Sequence, residues 1–341
     1  MSVLKVGLIG LGGQGRAHAK ALMSAQEKEG YPCRLVAACD VRPEQFKKIS
    51  VDFNIKESKS ELGFESYPCY VDYKEMLAKE SLDMVIIAVP TYLHCEISVY
   101  CLKAGVHVLC EKPMALNVEQ CDEMIRTAKE CGKQLMIGQC LRFWDEYLIL
   151  KSYVDSGEFG KVRAGMFYRG GDTPKWSFNN WYLHKAMGGG AVFDQHIHDV
   201  DMVQYLFGMP DSVSTNGKIM FEDTNYDTVC TNYVYNNGPL VFSHNDWTLS
   251  CGFAHGYRVN FEHATLEMDS RGLTLTKRGE QAQKVDFTRT SALSNEVAYF
   301  AECAMGKHEN EINPPESSRE TIRLVTAEIA SANGGANAVK L

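Results

Sequence analysis

A chain of 341 residues exceeds what one hydrophobic core ordinarily supports, so two domains are the first expectation. A hydrophobic share of 45% and a charged share of 23% exclude a disordered composition. The net charge of −8 and pI near 5.7 argue against a nucleic-acid partner, which calls for a basic face. The opening MSVLKVGLIGLGGQG lacks a basic leader and runs straight into glycines, so it does not read as a signal peptide. No stretch approaches the ~18 uninterrupted apolar residues of a membrane span. The twelve cysteines never form CxxC, and Cys39 and Cys110 sit inside apolar runs. Buried free thiols in a soluble cytoplasmic protein are the expectation, rather than a disulfide framework.

The first part of the chain alternates short apolar runs with helical patterns, as in a parallel sheet of βαβ units. Strands are predicted at Leu4–Gly10, Arg34–Asp40, Met84–Val89, His107–Cys110 and Gln134–Ile137, apolar enough to be covered on both faces. Helices are predicted at Leu93–Ala104 and Val118–Cys131. The polar, turn-rich Lys56–Pro68 reads as a surface insertion. After a helix near Asp145–Val154 the texture changes to alternating strands: VRAGMFYR, VSTNGKIM, TVCTNYVY, PLVFSH, YRVNFEH, ATLEM and GLTLT. Two helices, near Asn295–Met305 and Ser317–Ala332, close the chain. The fold class is α/β: an N-terminal Rossmann-type doubly wound parallel sheet over residues 1–138, then an α+β domain over 139–341 with a large, open, mostly antiparallel sheet. The C-terminal helix is free to pack back on the first domain.

Gly10-Leu11-Gly12-Gly13-Gln14-Gly15 matches GxGxxG between the first strand and a helix. Such a turn lets backbone N–H groups approach a pyrophosphate at the positive end of the helix. Alone it is only a glycine-rich turn. The second strand, however, ends in Asp40, whose carboxylate can accept both ribose hydroxyls and repel a 2′-phosphate, favouring NAD. Val41 and Arg42 follow it, and Arg42 leaves NADP open. Later strand ends supply Ala88, Val89, Thr91 and His94 in AVPTYLH, and Glu111 and Lys112 in CEKP, at the edge where ligands of open α/β sheets sit. A lysine there is ordinarily just solvated; beside a nicotinamide it can stabilise an alkoxide.

Residues 194–201 read DQHIHDVD. On a helix, Asp194, His198, Asp201 and Tyr205 share a ~60° arc, while His196 lies ~160° from His198. An HxH pair chelates metal from a strand and not from a helix, and no other ligand set has metal spacing; a catalytic metal on Asp194, His198 and Asp201 would lack dedicated partners elsewhere, so no metal is expected. What is left is an Asp–His pair at i, i+4. It is either a polar helix face or an acid/base site, because histidine titrates in the range that proton transfer needs.

Taken together, GLGGQG, EKP and GGGxxxDxxxHxxD resemble the Gfo/Idh/MocA oxidoreductases, and the likeness extends through RFWDEY (142–147) to SSRETIRLVTAEIAS. The resemblance implies an NAD- or NADP-dependent dehydrogenase in which Lys112, Asp194 and His198 form the catalytic group. The histidine would act as acid/base, with lysine and aspartate assisting. It also implies a sugar, sugar-derivative or cyclitol substrate, with no nucleic-acid or membrane partner, and a homodimer or homotetramer through the C-terminal sheet. The family's common ATPN reads AVPT here, so Val89 and Thr91 replace the usual Thr and Asn. Candidate substrate contacts are Arg142, Tyr168, Trp176, Trp181, His184 and His196, although the tryptophans can equally pack an interface. Two rivals stand beside this: glycoside cleavage or epimerisation by the same residues with recycled NAD, and a dinucleotide-dependent sugar sensor without turnover, against which the intact Lys112, Asp194 and His198 argue.

Overall fold

The computed structural model describes residues 3–47, 49–50 and 61–341. Residues 56–60 of the expected insertion lie outside the described residues. In chain order the first elements are β1 (Leu4–Ile9), α1 (Gly13–Gln26), β2 (Cys33–Cys39), β3 (Ile49–Ser50), β4 (Glu61–Leu62), β5 (Cys69–Tyr70), α2 (Tyr73–Lys79), β6 (Met84–Ile87), α3 (His94–Lys103), β7 (His107–Glu111), α4 (Val118–Cys131) and β8 (Leu135–Gly138). There follow α5 (Asp145–Ser156), β9 (Val162–Gly170), α6 (Ala191–Asp194), α7 (Ile197–Phe207), β10 (Ser212–Lys218), β11 (Thr228–Val234), β12 (Leu240–Asp246) and β13 (Ala254–Phe261). The chain closes with β14 (Ala264–Asp269), β15 (Gly272–Lys277), β16 (Gln283–Lys284), α8 (Ala292–Ala304), α9 (Pro315–Asn333) and β17 (Val339–Lys340). Two compact units result: Met1–Phe143 with Ser291–Arg319, and Trp144–Thr290 with Glu320–Leu341.

The first unit is a six-stranded parallel sheet in the order β5-β2-β1-β6-β7-β8. Met84, Val85, Ile86 and Ile87 are all buried, because helices cover both faces. The strand order reverses beside β1, and the crevice at that switch point is where such sheets bind ligands. Local chemistry fixes the helix ends. α4 spans the residues expected of it: the Asn117 side chain accepts from Gln120 N, and Gly132, in the left-handed region at φ 62°, terminates it. α3 begins one residue later than expected, after a 3₁₀ turn at Thr91–Leu93. From the far end of the chain, Val297, Phe300 and Ala301 of α8 join Leu8, Leu22 and Ile86 in one core.

The second unit is a nine-stranded sheet in the order β16-β15-β14-β13-β9-β12-β11-β10-β17, in which only β9 and β12 pair parallel. Alternation sets its two faces. In β11, Val229, Thr231 and Tyr233 are buried while Cys230, Asn232 and Val234 are exposed. The buried face carries α7, with the Phe167 and Phe207 rings 6.3 Å apart. Cys230, His244 and Tyr168 stand side by side on the opposite face. The twelve cysteines are free thiols, seven of them buried. Among the described residues no helix is long and apolar enough to cross a membrane.

Candidate active site

The glycine turn of the first unit is built from close approaches. A Cβ on Gly10, at φ 92°, would lie 2.3 Å from Ala88 O, and one on Gly15 would lie 1.9 Å from Gly10 O. Gly12, which precedes the first turn of α1, has no atom within 4 Å of its Cβ direction. The helix N-terminus therefore opens on free space with no acidic side chain in its first turn, which suits a pyrophosphate. Asp40 closes the far side. Its Oδ2 accepts from Leu11 N at 2.8 Å, and its Oδ1 accepts from Arg42 N at 2.9 Å and Arg42 Nε at 3.2 Å. Val41 between them projects into solvent. These residues fit a dinucleotide, with backbone N–H groups for phosphate and a fixed carboxylate for ribose.

Arg16, which the sequence reading passed over, is buried one residue beyond the last glycine. Its guanidinium donates to Leu62 O and Gln45 O and lies 5.3 Å from the Phe64 ring centroid. It thereby fastens the chain on the far side of Asp40. Burial lowers its pKa below the ordinary value.

At the ends of β6 and β7 the expected residues separate into two kinds. His94 is 1% exposed, with Nδ1 2.7 Å from Pro113 O and Nε2 2.9 Å from Val89 O. It ties together the two edge loops, and burial holds its pKa down. Thr91 is buried as well, while Ala88 and Val89 are partly exposed. Glu111 is a buried anchor, not an open group. It accepts from His18 Nε2 at 2.5 Å, from Gln14 Nε2 at 2.8 Å and from Lys112 N at 3.1 Å. Burial is the largest single influence and would raise the Glu111 carboxyl, but the hydrogen bonds from His18 and Gln14 and the nearby positive charge of Lys112 together outweigh it and hold the group below its ordinary value. A Cβ on Gly138 would sit 3.2 Å from that carboxyl. The half-buried Lys112 is thus carried on a backbone fixed to α1. Arg142, a candidate substrate contact, is 1% exposed and donates to Ile312 O at 2.9 Å and Ser317 Oγ at 2.7 Å. It pins the chain between α8 and α9.

In the second unit, the glycine run 188–190 is an entry to the helix, not its first turn. A Cβ on Gly188 would come 2.9 Å from Trp181 O, and one on Gly190 would come 3.0 Å from Asn225 N. Only glycine lets the 181–182 and 225 segments close so tightly. The same loop pairs His184 Nδ1 with Asp223 Oδ2 at 2.7 Å and stacks Trp181 on Tyr182 at 3.9 Å, while Trp176 is exposed. Tyr168 stands on the sheet face away from α7, because Phe167 and Arg169 on either side of it face that helix.

The periodicity of residues 188–209 suggested one helix; the structure has two, broken at Gln195–His196. His196 N reaches back five residues to Ala191 O at 2.9 Å, a π-type turn. Four residues around the break hold buried partners from distant elements. Asn245 Nδ2 donates to Gln195 Oε1 at 2.8 Å. His196 Nε2 lies 2.9 Å from Glu328 Oε2. Arg169 contacts Asp199 at 3.0 Å and donates to the Tyr147 hydroxyl at 3.1 Å. Thr321 Oγ1 donates to Asp201 Oδ1 at 2.9 Å. Asp194, Gln195 and His198 are half-buried, while Phe193, His196, Ile197 and Asp199 are buried. His255 lies near Arg169, and burial, aided by that positive charge, pushes its pKa down to about 3. Neither Arg169 nor His255 was singled out from sequence; the available signal was an arginine at an inward position of an alternating strand. Among the described residues no group of three or more His, Cys, Asp or Glu side chains is arranged to hold a metal ion.

Comparison with known proteins bears on both units. Residues 4–139 match the family model described as "Oxidoreductase family, NAD-binding Rossmann fold", and residues 147–267 match the GFO/IDH/MocA C-terminal domain. The myo-inositol 2-dehydrogenase of Thermotoga maritima is 30% identical over 221 residues, 64% of this chain and 60% of that protein. The 2,7-anhydro-N-acetylneuraminate hydratase of Mediterraneibacter gnavus is 35% identical over 147 residues, 43% of this chain and 39% of that protein. The chain thus spans between about two-fifths and three-fifths of the length of these relatives. Aldose-aldose oxidoreductase from Caulobacter crescentus, solved with glycerol, has the same fold: TM-score 0.84, 22% identity, and all of both chains covered.

Proposed function

The chain belongs to the Gfo/Idh/MocA family of oxidoreductases, whose first domain is an NAD-binding Rossmann fold, and from that premise we propose that it oxidises a secondary hydroxyl of a sugar, sugar derivative or cyclitol with NAD. One observation supports this most. The chain combines a dinucleotide turn, open at Gly12 and bounded by Asp40, with a half-buried Asp194 and His198 on either side of a helix break whose His196, Asp199 and Asp201 are anchored inward.

Bound nicotinamide supplies a hydride acceptor. Backbone N–H groups around Gly12 and Gly13 hold the phosphates, and the Asp40 carboxylate accepts from the ribose, favouring NAD over NADP. His198 takes the hydroxyl proton, Asp194 orients the imidazole, and Lys112 stabilises the developing alkoxide. The hydrogen bond from Lys112 N to the buried Glu111 carboxylate fixes the point at which the lysine side chain leaves the strand end. Trp176, Trp181 and His184 offer faces and a polar edge to a polyhydroxylated ring. The sheet face carrying Cys230, His244 and Tyr168 is the surface for a homodimer or homotetramer.

Similarity to a hydratase favours a second reading, in which the same residues oxidise a sugar carbon transiently and the cofactor is recycled. A panel of myo-inositol, levoglucosan, aldoses and anhydro-sugars, with NAD and NADP in parallel, separates the two. Net accumulation of NADH, faster than NADPH, is the expected result. Product without net NADH supports recycling, and no conversion of any compound by the NAD-loaded protein overturns both.

A further inference from the structure

Of the two histidines in DQHIHDVD, His196 is the one that the proposed chemistry leaves unused. Its side chain is completely buried, and its hydrogen-bond partner, Glu328 of α9, is 1% exposed. Among the described residues its Nδ1 has no hydrogen-bond partner. A half-satisfied imidazole against a buried carboxylate is a poor way to fill a core, since apolar residues of similar volume are neutral or better for stability. The pair also sits at a particular place. His196 is the residue at the break between α6 and α7, and its N–H closes the five-residue turn to Ala191 O. That extra residue in the turn sets the angle between Asp194 before it and His198 after it.

We propose that the His196–Glu328 pair positions the acid/base machinery: it holds the π-type turn that aims Asp194 and His198 at each other's working geometry. The proposal rests on the reading of His198 as the base. His196 and Glu328 are positioning residues that touch neither substrate nor cofactor. The pair trades core stability for angle, and misplacement of an acid/base by about 1 Å costs on the order of a hundredfold in rate. Stability and turnover should therefore move apart when the pair is replaced by apolar residues.

The test uses the full chain with NAD and the panel compound that the wild type converts fastest. His196→Leu with Glu328→Met should unfold at or above the wild-type temperature, yet lose about tenfold or more in kcat with KM within about threefold. Glu328→Gln keeps an acceptor for Nε2 and should stay within about threefold of wild-type kcat. A folded double variant with wild-type kcat overturns the proposal. If that variant does not fold, Glu328→Ala alone carries the same kcat comparison against Glu328→Gln, and equal kcat in the two overturns it. His198→Ala is the separate control: normal turnover there overturns the underlying reading, and the positioning role with it.

Discussion

The glycine turn of the first unit and the broken helix of the second are both sites on a helix, but they are fixed in different ways. The first is held by backbone: Gly10, Gly12 and Gly15 leave room, and Asp40 is caught by two main-chain N–H groups within 29 residues of chain. The second is held by side chains reaching from afar. Arg169 meets Asp199 across 30 residues, Asp201 meets Thr321 across 120, and His196 meets Glu328 across 132. A backbone site tolerates sequence change around it, whereas a side-chain site fails when one distant partner is lost.

That contrast is sharpest in stability. Arg169→Ala leaves Asp199 charged, buried and unpaired, and should lower unfolding free energy by about 3–5 kcal/mol, read by denaturant titration. A loss below about 1 kcal/mol would mean that Asp199 finds another partner. Asp40→Ala, which removes the proposed ribose contact together with the acceptor of Leu11 N and Arg42 N, should weaken NAD binding about tenfold and narrow the preference over NADP, read by calorimetry. An unchanged preference would shift selectivity to Arg42.

The smallest effect concerns Glu296 of α8, which is fully buried in the first unit and, among the described residues, has no hydrogen-bond partner at either oxygen. Burial, reinforced by nearby Glu111, raises its pKa well above 4.5, so the folded protein keeps a proton that the unfolded chain releases. The native state then binds more protons above about 4.5, and this group's contribution to stability falls as pH rises. Glu296→Gln should flatten that slope and raise the melting temperature more at pH 9 than at pH 6. An equal change at both values would show that Glu296 does not carry the proton.

The same contrast explains what was legible in sequence. The parallel strands, the span of α4 and the GxGxxG turn follow from residues close in the chain, and all were readable. The alternating strands of the second unit were readable for the same reason. The break at Gln195–His196 was not, because helical periodicity carries no signal for a side-chain partner 132 residues away. Likewise His94, Glu111 and Arg142 carry ligand-friendly side chains at ligand-friendly strand ends. Their buried hydrogen bonds to Pro113 O, His18 and Ile312 O appear only in three dimensions.

The proposed function divides the labour: the glycine turn would bind NAD and His198 would move the proton. His198→Ala tests it most directly when NAD affinity and NADH formation are measured on the same preparation. The expected result is NAD affinity within about twofold of wild type and turnover lower by about a thousandfold. Turnover near the wild-type rate would contradict it.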